Sequence, residues 1–248
     1  MSASRPANAA VARAIIVGDS LAMVRPDDGI QLRHTYAYLL QQQFAGRVHV
    51  HNASRRAQTS RMILESGYFS EEHVRPTEPD LVVLHVGIVD CTPRIFTDRE
   101  RQALSLLARA PLGAVPAKWL TEFASARRGE VTRRRRITLV PVDEFQSNLR
   151  RFVHDVRSGA PRCEFQFVEV CCPTGTMAER NYAIVDRVRE YNQAARLVVE
   201  DVGGVTIPLF AFTRSNPGVL LADGYHLGIE AHTFIARELG NAWHGILP

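Results

Sequence analysis

A serine and an aspartate–histidine pair stand near opposite ends of this 248-residue chain, in settings that suit nucleophilic chemistry. Ser20 follows the apolar run at residues 14–17 after a short Gly-Asp turn, and Asp223 precedes His226 by three positions in a loop before the last helical stretch. A serine hydroxyl is a poor nucleophile at neutral pH, so it needs an adjacent base, and the base needs a third group that fixes its tautomer. A turn can bring the Asp223 carboxylate to Nδ1 of His226 and leave Nε2 to accept the proton of Ser20.

These three residues can meet only if the fold brings their segments to one edge of a sheet. Segments rich in Val, Ile and Leu alternate with stretches of helical period, which predicts a mostly parallel sheet covered by helices on both faces. The predicted strands are residues 14–17, 48–51, 81–86, 165–170 and 205–208, and the main predicted helices are residues 35–44, 142–158, 183–202 and 229–243. Ligands of such sheets gather at the carboxyl edge, where Ser20 is expected.

Residues 93–136 do not fit this alternation and are interpreted as a helical insertion within one domain spanning residues 12–248. Two short helices are predicted inside it, at residues 99–109 and 117–127. The insertion ends in the run Arg133 to Arg136, for which a solvated, flexible turn is expected. The alternative is a patch that receives phosphate or carboxylate groups of a substrate or carrier, since guanidinium groups suit those anions.

Charge and hydropathy exclude several classes of protein. The formal net charge is only +4, and no signature of a nucleic-acid-binding module accompanies it, so nucleic acid is not an expected partner. No apolar run approaches the roughly 20 residues that a membrane span needs. The N-terminal residues lack the separate apolar region of a signal peptide, so secretion is not expected.

The four cysteines indicate neither a disulfide framework nor a metal site. Cys91, Cys163, Cys171 and Cys172 have no spacing typical of zinc ligands, and adjacent cysteines rarely bridge each other. They are interpreted as reduced thiols of a cytoplasmic protein, and neither a metal nor another cofactor is predicted.

Two sequence blocks resemble a known family. Gly18-Asp19-Ser20-Leu21 and Asp223-Gly224-Tyr225-His226-Leu227 are similar to the first and last motif blocks of the SGNH (GDSL-type) hydrolase superfamily. The similarity spans about residues 14–239. It implies a flavodoxin-like three-layer α/β/α sandwich with a five-stranded parallel sheet, and metal-free ester hydrolysis by Ser20, His226 and Asp223.

The resemblance also implies an oxyanion hole built from the backbone N–H of the serine, a backbone N–H in a second block and an Asn side chain in a third. The second block is residues 52–60, with Ala57 at the usual glycine, so Ser20 and Ala57 are the expected donors. The third block has Val89 at the position of the Asn, and a valine side chain cannot donate. Arg94, just downstream, is a candidate to stabilise the oxyanion or to bind a substrate carboxylate or phosphate; the alternative is a structural ion pair with Asp90.

Four other side chains have a functional and a structural interpretation. Asp19 and Tyr225 are expected to contact the substrate, but Asp19 can instead cap the helix after it, and Tyr225 can instead cover the last helix. Cys91 lacks a paired base and is predicted to be a packed thiol. His85 and the remaining histidines other than His226 are predicted to be structural or on the surface.

Three hypotheses follow for the function. The leading one is a serine esterase that cleaves a small O-acyl ester of a small molecule, with an anionic or carrier-bound substrate suggested by the arginines. The second is acyl transfer from the same acyl-enzyme to a sugar, peptide or natural product. The third is a weakly active or inactive binding module, motivated by Val89. No oligomeric state is predicted.

Overall fold

A five-stranded parallel sheet forms the centre of the protein in the computed structural model, which describes residues 11–65, 70–110 and 113–243. The strands are β1 (Ala12–Gly18), β2 (Val48–Asn52), β3 (Leu81–His85), β4 (Glu164–Val168) and β5 (Val205–Ile207), in the order β2-β1-β3-β4-β5. Every residue of β3 is buried, as expected for a strand covered on both faces. All five predicted strands are confirmed, each within two residues of its predicted bounds.

Helices cover both faces of the sheet and confirm the predicted α/β/α sandwich. They are α1 (Tyr36–Gln43), α2 (Ser60–Leu64), α3 (Arg75–Thr77), α4 (Ile88–Cys91), α5 (Asp98–Arg109), α6 (Ala114–Ala126), α7 (Arg128–Arg135), α8 (Val142–Gly159), α9 (Gly175–Arg180), α10 (Ile184–Glu200), α11 (Leu209–Ser215) and α12 (Ile229–Trp243). Helices α1 and α12 pack together on one face, and α2, α8 and α10 pack on the other. The four main predicted helices correspond to α1, α8, α10 and α12.

Helix packing follows from apolar spacing in the sequence. In α8 the buried positions Phe145, Leu149, Phe152 and Val156 recur at intervals of three and four residues, which places them on one helical face against the core. On the opposite side of the sheet, the rings of Phe44 and Trp243 meet edge to face with centroids 5.6 Å apart, which joins the ends of α1 and α12.

Residues 93–136, interpreted from the sequence as an insertion, contain one more helix than predicted. Helices α5 and α6 confirm the two expected ones, but Arg133 to Arg135 lie in the last turn of α7, so the prediction of a flexible turn is wrong. Arginine is a good helix former, and cations are favoured near a helix C-terminus. The Arg135 guanidinium donates to the carbonyl oxygen of Ile95 at 2.9 Å and to Glu100 Oε1 at 2.7 Å, which ties α7 to the start of the insertion.

The strand order places a crevice where the predicted chemistry is expected. Chain order reverses between β1 and β3, and in open α/β sheets ligands bind at the carboxyl ends of strands beside such a point. The loop after β1 carries Ser20, and α4 follows β3. The single domain over residues 12–248 stays a prediction, and its last five residues, with His244, lie outside the described part.

Within the described residues, no helix is long and apolar enough to cross a bilayer. No group of three or more His, Cys, Asp or Glu side chains suited to a metal ion occurs in that same part of the chain.

Candidate active site

Ser20 stands at the carboxyl end of β1, where the backbone passes very close to its neighbours. A Cβ atom at Gly18 would lie 2.9 Å from Ser54 Oγ and 3.0 Å from the carbonyl oxygen of His85, so only glycine fits there without a shift. The chain then turns into a short 3₁₀ helix, Ser20–Ala22, and Asp19 Oδ1 accepts the N–H of Leu21 at 2.9 Å. This cap fixes the direction in which the Ser20 side chain leaves the strand.

His226 lies on a closed loop that precedes α12. The N–H of Leu221 donates to the carbonyl oxygen of His226 at 2.8 Å, and Leu220 pairs with Leu227 in an isolated antiparallel bridge. Gly224 has a φ of 82°, and a Cβ atom there would lie 2.1 Å from the carbonyl oxygen of Thr174, so this turn also requires glycine. The loop is therefore fixed on the segment that follows β4.

The fold brings Ser20, His226 and Asp223 into one continuous set of hydrogen bonds. Ser20 Oγ and His226 Nε2 are 2.9 Å apart, across 206 positions of sequence. His226 Nδ1 is 2.5 Å from Asp223 Oδ2. The other carboxylate oxygen, Asp223 Oδ1, accepts the backbone N–H groups of His226 at 3.0 Å and Tyr225 at 3.2 Å. These bonds hold the carboxylate against Nδ1, which keeps Nε2 unprotonated when the imidazole is neutral.

Burial and the Asp223 carboxylate shift the pKa of His226 in opposite directions. Burial lowers the pKa of His226 below its ordinary value; Asp223 raises it, and the nearby Arg25 charge lowers it further. Partial burial works to raise the pKa of Asp223, but hydrogen bonds from the backbone and side chain of His226 outweigh it, so that pKa is lowered. Near neutral pH the pair therefore consists of a neutral imidazole and a carboxylate.

Arg25 contacts the imidazole of His226, a contact that was not predicted from the sequence. Its Nη1 lies 2.9 Å from His226 Nε2, the same distance as Ser20 Oγ. The guanidinium is held by Asp28 Oδ2, 2.8 Å from Nε, and the backbone of Arg25 is paired with Ile30. A neutral imidazole has one lone pair at Nε2, and both neighbours are donors, so Arg25 and Ser20 compete for the same acceptor.

A pocket of about 520 Å³ opens onto the serine. Ser20, Ala57, Val89, Arg94 and Tyr225 are among the residues that line it, whereas Arg25 is outside that lining. The backbone N–H groups of Ser20 and Ala57 donate to no acceptor within the described part of the chain. Two unpaired N–H groups beside a serine are what an oxyanion hole requires.

Ala57 keeps the backbone conformation that usually belongs to glycine. Its φ is 56°, in the left-handed region, which costs a residue with a side chain roughly 1 kcal/mol relative to glycine. The segment is held in place by Asp90, whose Oδ1 accepts from the N–H of Ser60 at 2.9 Å and from Ser60 Oγ at 2.7 Å. Alanine therefore takes the place of the family's usual glycine in the same backbone conformation, at a cost in backbone strain.

The position of Val89 has no side-chain donor, but a guanidinium lies beside it. Arg94 lines the pocket, and its Nη2 approaches the carbonyl oxygen of Val89 at 3.4 Å. Within the described residues Arg94 forms no ion pair with Asp90, whose Oδ1 accepts hydrogen bonds from Ser60. Arg94 is therefore placed to contact a bound substrate, and this contact stays a prediction, as it does for Tyr225.

The structure contradicts a substrate contact by Asp19. The side chain is completely buried, caps the turn after β1 and is outside the pocket lining. Burial raises the pKa of Asp19 to about 8, partly offset by the N–H of Leu21, so the carboxyl group is mostly protonated at neutral pH. The alternative interpretation, a capping residue, is correct.

Cys91 and His85 take no part in the pocket. Both are fully buried, and burial raises the pKa of the Cys91 thiol well above its usual value. His85 lies 3.2 Å from the hydroxyl of Tyr36, and burial lowers its pKa to about 3. The prediction that both are structural is confirmed.

Sequence reasoning missed three arginines of this region. Arg25 follows the nucleophile by five positions and shares its loop, which is the one signal that could have suggested it. Arg128 and Arg180 line the pocket from α7 and α9, and neither belongs to a recognisable motif. Their place in the site depends on how the insertion packs against the segment after β4.

Comparison with known proteins identifies similar chains. A model of the GDSL-like lipase/acylhydrolase family matches residues 16–234. No curated protein matches the chain in sequence. Among solved structures, a lipase/acylhydrolase from Enterococcus faecalis is 18% identical, with a TM-score of 0.60 over 93% of this chain and 96% of that one. The protein described as TesA is 16% identical, with a TM-score of 0.59 over 95% and 99% of the two chains.

An acetylxylan esterase from Geobacillus stearothermophilus is 15% identical, with a TM-score of 0.61 over 95% of each chain. Three structures of that enzyme are described as catalytic mutants, with alanine in place of a serine, an aspartate or a histidine. In that enzyme the mutated aspartate and histidine are three positions apart. At these low sequence identities, the similarity to the solved structures shows a shared fold alone.

Proposed function

This chain belongs to the GDSL-like lipase/acylhydrolase family, and from that premise we propose that it is a serine esterase that cleaves a small O-acyl ester through an acyl-enzyme on Ser20. The observation that carries the proposal is the continuous hydrogen bonding from Ser20 Oγ through His226 to Asp223, at 2.9 Å and 2.5 Å. The equal spacing of the aspartate and histidine in the acetylxylan esterase supports the same roles.

In the first half of the reaction Ser20 Oγ bonds to the acyl carbon of the ester. Its proton passes to His226 Nε2, and Asp223 stabilises the imidazolium that forms. The bond between the acyl carbon and the alcohol oxygen then breaks, and the imidazolium gives its proton to the leaving alcohol. Arg25 must leave Nε2 before the first proton transfer, because a guanidinium cannot share that lone pair with a second donor.

In the second half a water molecule replaces the alcohol. His226 accepts a proton from the water as the oxygen attacks the acyl carbon. The bond to Ser20 Oγ then breaks, the imidazolium returns its proton to that oxygen, and the carboxylic acid departs. The negative oxygen of each tetrahedral intermediate is stabilised by the N–H groups of Ser20 and Ala57. The pocket also presents Ile88, Val89 and Met177, which suit a short apolar acyl chain.

The test is a burst assay with p-nitrophenyl acetate. We expect a burst of p-nitrophenol that corresponds to one acetyl group per protein, and an acetyl adduct on Ser20 by mass spectrometry. Ser20→Ala should abolish both signals, whereas Ser158→Ala, on the exposed end of α8, should leave both unchanged. An intact, folded protein that forms no adduct on Ser20 contradicts the proposal.

Acyl transfer is retained as a second proposal because the insertion contributes a wall of the pocket. Arg128, at the start of α7, lines the same pocket as Ser20, so the insertion can contact an acceptor. The acyl-enzyme would then be intercepted by an alcohol or amine in place of water. Product analysis with a competing sugar alcohol distinguishes the two outcomes, since a pure hydrolase releases only the free acid.

The third hypothesis, a non-catalytic module, is less well supported. A module without turnover has no need for an aligned Ser20, His226 and Asp223 with two unpaired N–H groups beside them. A cytoplasmic location also stays a prediction, supported by the four buried, unpaired cysteines.

A further inference from the structure

Three guanidinium groups line the pocket that opens onto Ser20. Arg94 comes from the loop after α4, Arg128 from the first turn of α7 and Arg180 from the last turn of α9. These segments are far apart in sequence and converge only in the folded chain. The pocket therefore carries three positive charges close to the proposed nucleophile.

No carboxylate of the described residues forms an ion pair with these charges. Within the described residues, none of the three arginines forms an ion pair, and the one acidic side chain of the pocket lining, Asp223, is bonded to His226. Arg94 and Arg128 are half-buried, and charges withdrawn from water are normally paired in proteins, so a ligand of opposite charge would compensate them. Arg180 is exposed and adds a third guanidinium to the same pocket.

Two of the arginines are held in place by neutral acceptors. Arg128 Nε donates to Asn181 Oδ1, and its Nη2 donates to the carbonyl oxygen of Pro93, both at 2.8 Å. Its remaining nitrogen, Nη1, is left without a partner in the described structure. Arg94 Nε is also buried and unpartnered. The unused donors are thus fixed before any ligand arrives, which lowers the entropy lost on binding.

The charges also destabilise one another. Burial lowers the pKa of Arg128, and Arg94 and Arg180 lower it further. Burial likewise lowers the pKa of Arg94, with an added contribution from Arg101 that the charges of Asp98 and Asp90 partly offset. An anion bound among them would remove this repulsion, and planar guanidinium groups bind carboxylate and phosphate oxygens through paired hydrogen bonds.

We propose that Arg94, Arg128 and Arg180 form a subsite for an oxyanion group, a carboxylate or a phosphate, carried by the ester substrate. The proposal rests on the esterase function proposed above, and it names the class of substrate: an acyl ester with a negative charge within reach of the scissile bond. The charge can belong to the acyl part or to the alcohol part, and the experiment separates these sources.

The test uses matched pairs of esters. p-Nitrophenyl hemisuccinate is compared with p-nitrophenyl isohexanoate, which replaces the acyl carboxylate by an isopropyl group. p-Acetoxybenzoate and p-acetoxyphenyl phosphate are compared with the methyl ester of the former and with phenyl acetate. Each rate is normalised to alkaline hydrolysis of the same ester. We expect kcat/KM to favour the anionic member of at least one pair by about 10-fold to 100-fold.

Variants show whether the arginines cause the preference. Arg128→Gln should reduce the ratio of anionic to neutral kcat/KM by about 10-fold or more. Arg180→Gln, at an exposed position with no hydrogen bond to another described residue, should also reduce it and serves if the first variant is unstable. Arg134→Gln, on the exposed face of α7 and paired with Glu130, is the control and should leave the ratio unchanged.

The outcomes distinguish a failure of the proposed anion subsite from a failure of the proposed esterase function. Equal normalised rates within every pair, or ratios that both variants leave unchanged, overturn the anion subsite while the esterase assignment stands. If no ester is turned over, the esterase assignment fails, and titration calorimetry with succinate and with inorganic phosphate decides the subsite. Binding that is weakened in Arg128→Gln supports it, and no binding to the wild-type protein overturns it.

Discussion

Replacing Asp223 by asparagine is expected to reverse the tautomer of the proposed catalytic imidazole, because it exchanges one carboxylate oxygen for an NH₂ group of similar size. Asp223 Oδ1 accepts two backbone N–H groups, from Tyr225 and His226. An asparagine keeps those bonds only if its carbonyl oxygen takes that place, and then its NH₂ group faces His226 Nδ1. The imidazole must then accept at Nδ1 and carry its proton on Nε2, where it cannot accept the proton of Ser20.

The expected loss of kcat follows from the free energy needed to turn the new asparagine amide to its other orientation. To restore the productive tautomer, the NH₂ group must turn toward the two backbone N–H groups and leave both without an acceptor. Two unsatisfied donors cost about 2 to 6 kcal/mol, which corresponds to a productive population smaller by about 30-fold to 20,000-fold. We therefore expect Asp223→Asn to lower kcat for p-nitrophenyl acetate by about 1,000-fold.

Steady-state kinetics of wild type and variant measure this effect, with circular dichroism and urea unfolding to show that the fold is retained. Asp27→Asn is the matched control, because the Asp27 side chain is exposed on a neighbouring 3₁₀ turn and bonds to neither Arg25 nor His226 in the described structure. It should change kcat by less than about threefold, since charges on exposed side chains contribute little. A well-folded Asp223→Asn protein within about 10-fold of wild type would show that Asp223 does not set the tautomer.

Three further predictions concern residues around the site. In the proposed mechanism the neutral imidazole is the active base, so kcat/KM should hold above the pKa of His226 and fall as the pH drops through it. Arg25→Ala removes a nearby positive charge and should raise that pKa, so this acid limb should move to higher pH; an unmoved limb in a pH–rate profile contradicts the reasoning. Ala57→Gly relieves a left-handed φ and should raise the free energy of unfolding in urea by about 1 kcal/mol, whereas a decrease would show that the alanine is unstrained. Asp19 stays protonated in the folded state up to a pKa of about 8 while the unfolded group ionises near 3.8, so its contribution to stability falls as the pH rises between these values. At about pH 7, keeping Asp19 protonated in the folded protein lowers the free energy of unfolding by about 4 kcal/mol. Asp19→Asn should therefore stabilise the protein more at about pH 7 than at about pH 4, and an equal effect at both pH values refutes this reasoning.

The fold was largely predictable because the spacing of apolar residues indicates the strands of the sheet and its main helices. A strand buried on both faces, such as β3, reads as a short continuous apolar run, and α8 shows the spacing of a one-sided helix. The short helices α2, α4, α9 and α11 were not predicted, since four to seven residues carry too little periodicity to be recognised. The arginine run in α7 was taken for a turn because charge pattern says little about backbone conformation.

The site was predictable where one turn fixes the chemistry and unpredictable where distant segments meet. The short loop between Asp223 and His226 limits how the two side chains can lie, so their contact could be expected from spacing. Arg128 and Arg180 reach the pocket only through the packing of α7 and α9, for which the sequence has no local signal. Asp19 was misassigned because position next to Ser20 does not determine which way the carboxyl group points.

The long sequence separation of the two central groups has a consequence for biosynthesis. Ser20 emerges from the ribosome early, but its proposed base is encoded 206 positions later, on a loop fixed by the segment after β4 and followed by α12. On the proposed mechanism, a nascent chain that has completed β1 to β4 therefore holds an unactivated hydroxyl, whatever its degree of order. The ability to be acylated would be gained in a single late event, when the final stretch of polypeptide docks, so an activity-based probe applied to stalled translation products would report completion of the fold.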